Sequence, residues 1–330
     1  MEGQLKIPMN NEQMRLPAVD NYFLGQRIEE SRRVIREVAS LSNKPLVVQF
    51  SGGRDSMALL DMVRQETHFF VAAYMATGTE LPGVITFVRD YCKREKIKLL
   101  VSNPGMHKGH IIQRIKRFER FPLIENTWCC RDLKLRPQKK MLVKQFGKGV
   151  YFKLEGVRRF ESSRRKFLYA AYANNPIRPD GEFYGSFEVF PILNWADVDV
   201  TNYIEGRQLT TMSQYKDFGV SGCSWCPFYG PKIYYKVLQW NPNWNVYTRI
   251  IQMEEKFKMP SVLGEVYLRD IRQAVLDGRP CPEASTEGKE KGPCTILYEG
   301  KRVPTCSVYG HLFINGRCLR CEQPEEVKIA

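Results

Sequence analysis

Short apolar runs alternate with stretches of helical spacing along much of the chain. Residues 46–50 (LVVQF) are mostly apolar and β-prone, which is typical of a strand buried in a parallel sheet. Similar runs predict strands at residues 69–75, 97–101, 150–154 and 187–191. After residue 56, and again over residues 81–96, apolar side chains recur at helical spacing. Strands that alternate with helices predict right-handed βαβ units, and therefore an α/β fold with a doubly wound, mostly parallel sheet.

Helical and irregular segments flank this predicted sheet. Residues 22–40 have the pattern of an amphipathic helix, and Asn194 is expected to cap the helix that follows the last strand. Residues 240–276 are predicted to be helical, and residues 277–293, rich in Gly, Pro, Glu and Lys, to be a linker. We therefore divide the chain into an N-terminal helical extension (1–44), an α/β catalytic domain (45–235), a helical segment (236–280) and a linker with a small tail (281–330).

The first predicted strand runs into a polar turn with two glycines, directly before a helix. Glycine lets the backbone turn sharply and lets a ligand approach the main chain. The N–H groups of the helix start and the helix dipole favour an anion there. Arg54 adds a cation, and Asp55 is a candidate partner for a Mg²⁺ bound to that anion. The predicted anion-binding residues are Ser51, Gly52, Gly53, Arg54, Asp55 and Ser56.

Two further strand ends carry residues suited to a phosphate ligand. Thr77 and Gly78 follow the second strand, at the edge where open α/β sheets bind ligands. Gly156 follows the fourth strand and precedes several arginines, including Arg158 and Arg165. Arginine grips phosphate oxygens in a fork. The alternatives are an ordinary glycine-containing turn after the first strand and an exposed charged loop after the fourth.

Cysteine usage indicates metal or redox chemistry. The chain has ten cysteines, no run of apolar residues long enough to span a membrane, and no apolar signal core at its start. We therefore expect a cytoplasmic protein, in which cysteines serve metal or redox chemistry more often than structural disulfides.

One cysteine set consists of two close pairs, Cys129–Cys130 and Cys223–Cys226. Adjacent cysteines chelate a single zinc poorly, whereas a 4Fe-4S cluster has irons far enough apart for neighbouring thiolates to reach different ones. This pattern favours an iron–sulfur cluster. A zinc site, a redox dithiol and inert buried thiols remain the alternatives.

A second set near the C-terminus has the spacing C-x4-H-x6-C-x2-C. Its members are Cys306, His311, Cys318 and Cys321. Soft thiolates and one imidazole suit a tetrahedral structural Zn²⁺. The set resembles the small zinc knuckles of short phage and prophage proteins. Free thiols are the alternative. His107 and His110 are weaker ligand candidates, since surface histidines are common.

The charge balance points to a polyanionic partner. The formal net charge is +14, and basic residues crowd into residues 114–120, 131–144 and 158–166. Two of these clusters lie beside candidate site motifs. We expect nucleic acid as the partner, with a solvated basic surface as the alternative.

The complete S-G-G-x-D-S turn resembles the pyrophosphate-binding loop of the PP-loop ATP pyrophosphatase superfamily and does not follow the Walker A pattern. Residues 128–137 (WCCRDLKLRP) and 156–165 (GVRRFESSRR) look like motifs of PAPS and APS reductase-like proteins. Residues 191–195 and 222–227 are similar to two further motifs of that family. Residues 77–82 match its D-T-G-x-x-x-P-E stretch in degenerate form, with Ala76 where Asp is usual. The match covers about residues 45–230.

This resemblance implies an enzyme that cleaves ATP between the α and β phosphates, with Asp55, Arg158 and Arg165 as catalytic residues. The intact loop, and the lack of a C-terminal E-C-G-[LI]-H motif, favour the branch similar to DNA phosphorothioation enzymes over sulfonucleotide reductases. The branch implies ATP, Mg²⁺, a 4Fe-4S cluster, a nucleic-acid acceptor (DNA favoured over tRNA) and a sulfur donor such as a cysteine desulfurase. The alternatives are an adenylylated-sulfate reductase that uses thioredoxin, and a non-catalytic ATP-sensing protein that binds nucleic acid.

Overall fold

A six-stranded sheet in the order β3-β2-β1-β4-β6-β5 forms the centre of the fold. The computed structural model describes residues 17–106, 110–124, 127–181, 183, 185–212, 218, 222–263 and 265–283, and four short strands of the C-terminal segment. The sheet strands are β1 (Leu46–Gln49), β2 (Phe70–Met75), β3 (Leu99–Ser102), β4 (Phe152–Leu154), β5 (Ile177–Pro179) and β6 (Phe187–Val189). All adjacent pairs are parallel except β5 with β6, so the predicted mostly parallel α/β fold is confirmed.

Helices precede, connect and follow these strands. They are α1 (Pro17–Leu41), α2 (Arg54–Glu66), α3 (Val84–Arg94), α4 (Ile111–Phe118), α5 (Trp128–Cys130), α6 (Arg136–Phe146), α7 (Ser163–Leu168), α8 (Asp197–Gly206), α9 (Pro231–Trp240), α10 (Asn245–Phe257) and α11 (Leu268–Leu276). A π-helical stretch, Arg131–Leu135, joins α5 to α6. Within the described chain, no helix has the length and apolar character needed to cross a membrane.

The strand order reverses beside β1, which places a ligand crevice there. β1 pairs with β2 on one side and with β4 on the other. In open α/β sheets, ligands bind at the carboxyl ends of strands where the connections diverge to opposite sides. The turns after β1, β2 and β4 therefore meet at one edge, as expected for residues 51–56, Thr77, Gly78 and Gly156.

The core depends on two apolar layers, one on each face of the sheet. One layer joins the buried side of α2 to β1 and includes Val48, Leu59 and Leu60, which are fully buried. The other is smaller and lies against α6, with Val47 and Leu142 at its centre. β1 is buried over its whole length, which explains why its sequence is mostly apolar and does not alternate between apolar and polar residues.

The N-terminal helix is attached to the sheet by a specific polar contact. The Ser31 hydroxyl lies 2.8 Å from the Pro191 carbonyl oxygen, and the Trp195 indole nitrogen donates to the same hydroxyl at 3.0 Å. Both side chains are buried. The predicted helix at residues 22–40 is thus confirmed and belongs to the core assembly.

Two local predictions from the sequence were incomplete or wrong. Asn194 does not cap a helix, because its side-chain amide donates to the Ala173 carbonyl and α8 begins after Ala196. The antiparallel edge strand β5 was not predicted, since three residues containing a proline carry little strand signal. The predicted helical region at residues 240–276 is confirmed as parts of three helices.

The C-terminal segment contains two antiparallel strand pairs. They are β7 (Cys294–Tyr298) with β8 (Lys301–Thr305), and β9 (Phe313–Ile314) with β10 (Arg317–Cys318). Of the predicted zinc ligands, Cys306, His311 and Cys321 lie outside the described residues, and Cys318 is described only as a backbone position in β10. The zinc knuckle stays a prediction.

Truncating a buried leucine of α2 should destabilise the protein far more than truncating an exposed one. Leu59→Ala removes a fully buried side chain and should lower the free energy of unfolding by about 2–5 kcal/mol. Leu41→Ala, at a side chain that is 66% exposed, should change it by less than about 0.5 kcal/mol. Urea denaturation followed by circular dichroism measures both. Equal effects would contradict this assignment of the core.

Candidate functional site

The loop after β1 presents a helix start to the ligand crevice. Gly52 has φ +79°, a left-handed conformation that favours glycine. A Cβ at this position would lie 3.1 Å from the Met212 sulfur and 3.2 Å from Phe87 and Val88. Gly53 precedes the first turn of α2 and, as a glycine, has no side chain with which to cap that turn, and its own N–H donates to the Ser51 hydroxyl at 3.4 Å. The loop geometry therefore suits the oxygen atoms of a polyphosphate.

The two serines of this loop hold its ends together. The Ser51 and Ser56 hydroxyl oxygens lie 3.1 Å apart, and the Ser56 hydroxyl donates to the Gly53 carbonyl at 2.9 Å. The backbone N–H of Ser51 also donates to the Ser56 hydroxyl, at 3.3 Å. These contacts rigidify the turn, so that its N–H groups keep one orientation.

Gly156 lets the chain after β4 pass directly over the first turn of α2. A Cβ on Gly156 would lie 2.9 Å from the Asp55 carbonyl carbon and 3.0 Å from the Ser56 nitrogen. Both are backbone atoms that cannot move aside cheaply. The predicted site residue Gly156 is therefore packed against the anion-binding loop, and only glycine fits this contact.

A network of two arginines and two aspartates lies beside the loop. The Arg158 guanidinium donates to Asp55 at 2.7 Å and to Asp197 at 3.1 Å. Arg54 donates to the same Asp197 oxygen at 2.7 Å and to the Thr201 hydroxyl at 3.1 Å. Burial opposes ionisation of Asp197, but the hydrogen bonds and charges of the two arginines outweigh burial and lower its pKa. Arg54, expected at the anion, is instead bonded to α8.

The other predicted arginine is placed differently. Arg165 lies in α7 and pairs with Glu161, while its backbone N–H donates to the Ser162 hydroxyl, which caps that helix. Its side chain is partly exposed. The structure thus brings Asp55 and Arg158 together at the loop, whereas Arg165 lies on the neighbouring helix.

The turn after β2 is organised around the carboxylate of Glu80. This carboxylate accepts hydrogen bonds from the N–H groups of Thr77 and Gly78 and, at 2.8 Å, from the Thr77 hydroxyl. The Gly78 N–H bond is 3.0 Å long. A Cβ on Gly78 would lie 3.0 Å from the His110 Nδ1. The two predicted nucleotide-binding residues are therefore ordered by Glu80, which the sequence patterns did not single out.

The same turn contacts the loop that carries the second cysteine pair. Glu80 and Cys223 form an antiparallel backbone bridge, and the Ser224 N–H donates to the Thr79 carbonyl at 2.6 Å. The Thr77 hydroxyl oxygen lies 3.4 Å from the Cys223 sulfur. The cysteine loop is thus hydrogen-bonded to a strand end next to the anion-binding loop.

Both cysteine pairs affect one another electrostatically. A hydrogen bond with Cys130 and burial raise the pKa of the Cys129 thiol, and Cys223 and Cys226 raise it further. Burial, followed by the nearby Cys223, raises the pKa of Cys226 to about 11. The four thiols are therefore close enough to share one environment.

The ammonium group of Lys134 lies close enough to these cysteines for them to affect its pKa. Cys223 above all, followed by Cys130 and Cys226, raises the pKa of the Lys134 ammonium, and burial opposes them. The donor set is chemically that of an iron–sulfur cluster. Its side chains do not converge on a point, since no three metal-binding side chains of the described residues meet in a metal site.

Some residues of the basic sequence clusters are buried inside the protein and do not lie on its surface. Arg114 is buried and pairs with Asp132 in the π-helical stretch, and its guanidinium lies 4.5 Å from the centre of the Phe118 ring. Asp132 also accepts from Arg136 at 3.1 Å. This buried pair joins α4 to the helical stretch that contains Cys129 and Cys130. A π-helical stretch marks functional sites in many helices.

Of the two weaker ligand candidates, His107 and His110, only His110 is among the described residues. His110 precedes α4 and its backbone N–H donates to the Gln113 side chain at 3.1 Å. Within the described segments it joins no metal site. His107 lies outside the described residues.

Sequence reasoning missed three carboxylates of this region, Glu80, Asp197 and Glu155. Glu155 directly follows β4, and its carboxylate lies 4.0 Å from the ammonium nitrogen of the fully buried Lys153. Acidic residues are common on exposed loops, and a sequence gives no direct signal of a partner many positions away. One signal was present for Glu155 in the sequence: a charged residue directly follows a predicted strand and precedes Gly156, itself a predicted site residue.

Comparisons with known proteins agree with this geometry. The sequence model of the family described as "Phosphoadenosine phosphosulfate reductase domain" matches residues 45–228. An uncharacterized protein of Methanocaldococcus jannaschii is 30% identical, over 66% of this chain and 52% of its own length. Sulfate adenylyltransferase subunit 2 of Rhizobium tropici is 26% identical, over 63% of this chain and 68% of its own length. This chain thus spans about half the length of the archaeal relative.

Among solved structures, the chain is similar to the U34-tRNA thiolase of Methanococcus maripaludis with its 4Fe-4S cluster. It is 14% identical and superposes with a TM-score of 0.42, over 73% of this chain and 83% of its own.

A methyl group at Gly156 should weaken nucleotide binding. Gly156→Ala places a Cβ against the backbone of Asp55 and Ser56, so that the loop or the β4 end must shift. We expect ATP affinity, measured by isothermal titration calorimetry, to fall at least about tenfold, which corresponds to about 1.4 kcal/mol. The matched control is Gly181→Ala, where a Cβ meets nothing within 4 Å and affinity should be unchanged. Equal affinities of the two variants would show that this close approach is dispensable.

Proposed function

Because the chain belongs to the phosphoadenosine phosphosulfate reductase domain family, we propose that it is an ATP pyrophosphatase-type sulfurtransferase that acts on nucleic acid. ATP would adenylylate an acceptor atom of the nucleic acid, with release of pyrophosphate. Sulfur would then replace the adenylylated oxygen. DNA is favoured over tRNA as the acceptor, and a cysteine desulfurase is the expected class of sulfur donor.

The observation that carries this proposal is the direct contact between the turn after β2, at the predicted nucleotide-binding edge of the sheet, and the loop that carries Cys223 and Cys226. The Thr77 hydroxyl lies 3.4 Å from the Cys223 sulfur, and Thr77 lies in the turn after β2, a strand that pairs with β1. A sulfur-transfer enzyme needs its thiols near the adenylylated atom. A protein that only binds ATP has no such requirement.

The loop supports cleavage at the α-phosphate. The N–H groups of residues 52–56 suit the β and γ phosphates, since they lie at a helix start whose N-cap residue, Gly53, supplies no capping side chain. Arg158 orients the Asp55 carboxylate, which is partly exposed at the loop. Asp55 would hold a Mg²⁺ ion, which neutralises phosphate charge when bound. A relative named as a sulfate adenylyltransferase subunit agrees with adenylyl transfer.

The cysteines supply the sulfur chemistry in this proposal. Cys129, Cys130, Cys223 and Cys226 would be the ligands of a 4Fe-4S cluster, which would order the site or carry sulfur when bound. The rise in the pKa of Cys129 that Cys223 and Cys226 contribute indicates that the two pairs lie near each other, and the assignment to a cluster rests on the number and spacing of the four cysteines.

The basic surface supports a nucleic-acid partner. Lys116, Arg117 and Arg120 are exposed on and after α4, and Lys140 and Lys144 are exposed on α6. Exposed lysines and arginines bind phosphates through charge and release counterions. The net charge of +14 agrees with such a partner.

The family description itself favours a second candidate, the reduction of an adenylylated sulfate to sulfite with thioredoxin as the reductant. This reaction needs a nucleophilic cysteine outside the cluster, which we cannot assign among the described residues. A third candidate, a non-catalytic ATP sensor, predicts ATP binding without pyrophosphate release.

Pyrophosphate release from ATP by anaerobically purified protein tests the proposal. Mixed-sequence single-stranded DNA or total tRNA should stimulate release. Asp55→Ala should lower the stimulated rate at least about 100-fold, because it removes the Mg²⁺ ligand and the partner of Arg158. Asp270→Ala, at an exposed carboxylate of α11, is the control and should keep the full rate.

Three other results would each contradict the sulfurtransferase proposal. Sulfite formation from an adenylylated sulfate and reduced thioredoxin, without ATP turnover, would make the protein a reductase. ATP binding with no pyrophosphate release would favour the sensor. Full activity of the Asp55→Ala variant would show that the Asp55 carboxylate of the loop takes no part in the reaction.

A further inference from the structure

One stretch of the chain combines aromatic and basic residues and has no acidic residue. Residues 218–253 contain nine aromatic side chains, two lysines and one arginine, and neither Asp nor Glu, although 36 of the 330 residues of the chain are acidic. The stretch includes the loop of Cys223 and Cys226, helix α9 and the first turns of α10. Surfaces that bind single-stranded nucleic acid combine basic side chains with aromatic rings on which bases stack.

Helix α9 turns one face of this stretch towards the solvent. Its buried residues lie on the opposite face, against the core. The exposed residues follow the spacing i, i+4, i+7 and i+8, which places them on one side of a helix. They are Lys232, Lys236, Gln239 and Trp240. Two lysines one turn apart, about 6 Å along the helix axis, thus lead to a tryptophan at the helix end.

The positive charge of this face is only partly balanced within the described chain, where neither lysine forms an ion pair. Asp270 and Asp277, in and after the helix α11 that packs against α9, pair with arginines of their own segment. Glu283 lies near Lys232: burial raises the pKa of Cys281, Lys232 acts against burial, and Glu283 acts with it. The half of the face that ends in the tryptophan therefore keeps a net positive charge.

Trp240 is exposed although it is a large aromatic residue, with 52% of its surface accessible. Its ring lies edge to face with two aromatic neighbours, Phe218 and Trp244, at 6.1 and 6.0 Å between ring centres. These neighbours hold the indole in one orientation. A ring that is already ordered loses little conformational freedom when a ligand stacks on it. Trp240 is therefore suited to stack on a flat ring from solution.

This aromatic group is attached to the loop of the second cysteine pair. The Trp244 indole N–H donates to the hydroxyl of Ser224, which lies between Cys223 and Cys226 in the chain, at 3.2 Å. On the buried face of α9, the Tyr234 hydroxyl donates to the Cys226 carbonyl at 2.6 Å. The helix that presents the exposed face is thus the helix that supports the cysteine loop.

We propose that the exposed face of α9 binds an unpaired strand of nucleic acid, with a base stacked on Trp240 and phosphates on Lys232 and Lys236. This inference rests on the proposed function and deepens it, because it specifies the form of the acceptor. In a duplex, each base is stacked between its neighbours, whereas an unpaired base offers its ring to an aromatic side chain. The acceptor is therefore a single strand or a loop, held beside the cysteine loop.

The composition of the face favours nucleic acid over a protein as its occupant. Tryptophan is also enriched in protein interfaces, but lysine is depleted there. A single strand uses both kinds of side chain, since its phosphates bind cations and its bases stack. The exposed lysines and arginines of α4 and α6 bind phosphates of any strand, whereas Trp240 adds a preference for unpaired bases.

Fluorescence anisotropy without ATP tests this surface with one labelled sequence of mixed composition, supplied as single-stranded DNA, single-stranded RNA and duplex DNA. Trp240→Ala should weaken binding of the unpaired strands at least about fivefold, the lower end of what one stacked base contributes. Trp240→Phe keeps an aromatic ring and should stay within about twofold of the unaltered protein. Duplex affinity should be the same in all three proteins. The unpaired strand that binds more tightly, DNA or RNA, identifies the acceptor.

Phe69→Ala is the matched control, because Phe69 is 50% exposed and precedes β2, at the edge of the sheet opposite to the anion-binding loop. This variant should bind every strand as the unaltered protein does. Lys236→Ala should lower the slope of log affinity against log salt by about 0.7 for an unpaired strand, whereas Trp240→Ala should leave that slope unchanged. Thermal unfolding followed by circular dichroism checks that each variant is folded.

Tryptophan emission reports the stacking directly and does not depend on the Trp240→Ala variant. The chain has five tryptophans, and an unpaired strand should quench part of their emission. Trp240→Phe should lose most of this quenching while it keeps its affinity. Quenching that persists in Trp240→Phe would contradict stacking on Trp240.

Two binding results would overturn this inference. One is an unchanged affinity of Trp240→Ala for unpaired strands, which is expected if Trp240 serves a protein partner. The other is an equal loss of affinity for the unpaired strands and the duplex. The proposed function stands in both cases if nucleic acid still stimulates pyrophosphate release. Binding through Trp240 without any pyrophosphate release would instead overturn the proposed function and leave this surface in place.

Discussion

The close packing of two backbone segments at the end of β1 is the constraint on which the site depends. The anion-binding loop must leave a helix start uncovered, and the chain after β4 must pass against that helix start. Gly52 satisfies the first requirement through its left-handed conformation, and Gly156 the second through its missing side chain. This contact holds Arg158 beside Asp55, because Arg158 lies two residues after Gly156.

A second set of contacts joins the turn after β2 to the loop that carries the second cysteine pair. Glu80 binds the N–H groups of the turn after β2, and this turn forms a backbone bridge with the loop of Cys223. The first cysteine pair is held from another direction, by the buried ion pair of Arg114 and Asp132. The phosphate loop and both cysteine pairs are therefore fixed by backbone contacts and buried charge pairs, which are directional. Such contacts position reactive groups better than apolar packing alone.

The positive charge of the chain serves two physical roles. Arg54, Arg114 and Arg158 are bonded to aspartates and build the site from within. Other basic residues of the same sequence clusters are exposed on α4 and α6 and are available to a polyanion. Net charge alone does not separate these roles, because an arginine that pairs with a buried carboxylate counts the same as one on the surface.

The sequence by itself determined the βαβ order, the parallel sheet and the loop at residues 51–56, because each depends on local apolar periodicity and on glycine placement. It also indicated Gly156, Thr77 and the two cysteine pairs, through motifs that are continuous in the chain. Only the tertiary structure decided that Arg54 bonds α8, that Arg114 is internal and that Glu80 orders the turn after β2. The physical reason is that the partner of a charged side chain is chosen by the packing of distant strands and helices, and hydrophobic periodicity carries no information about that choice.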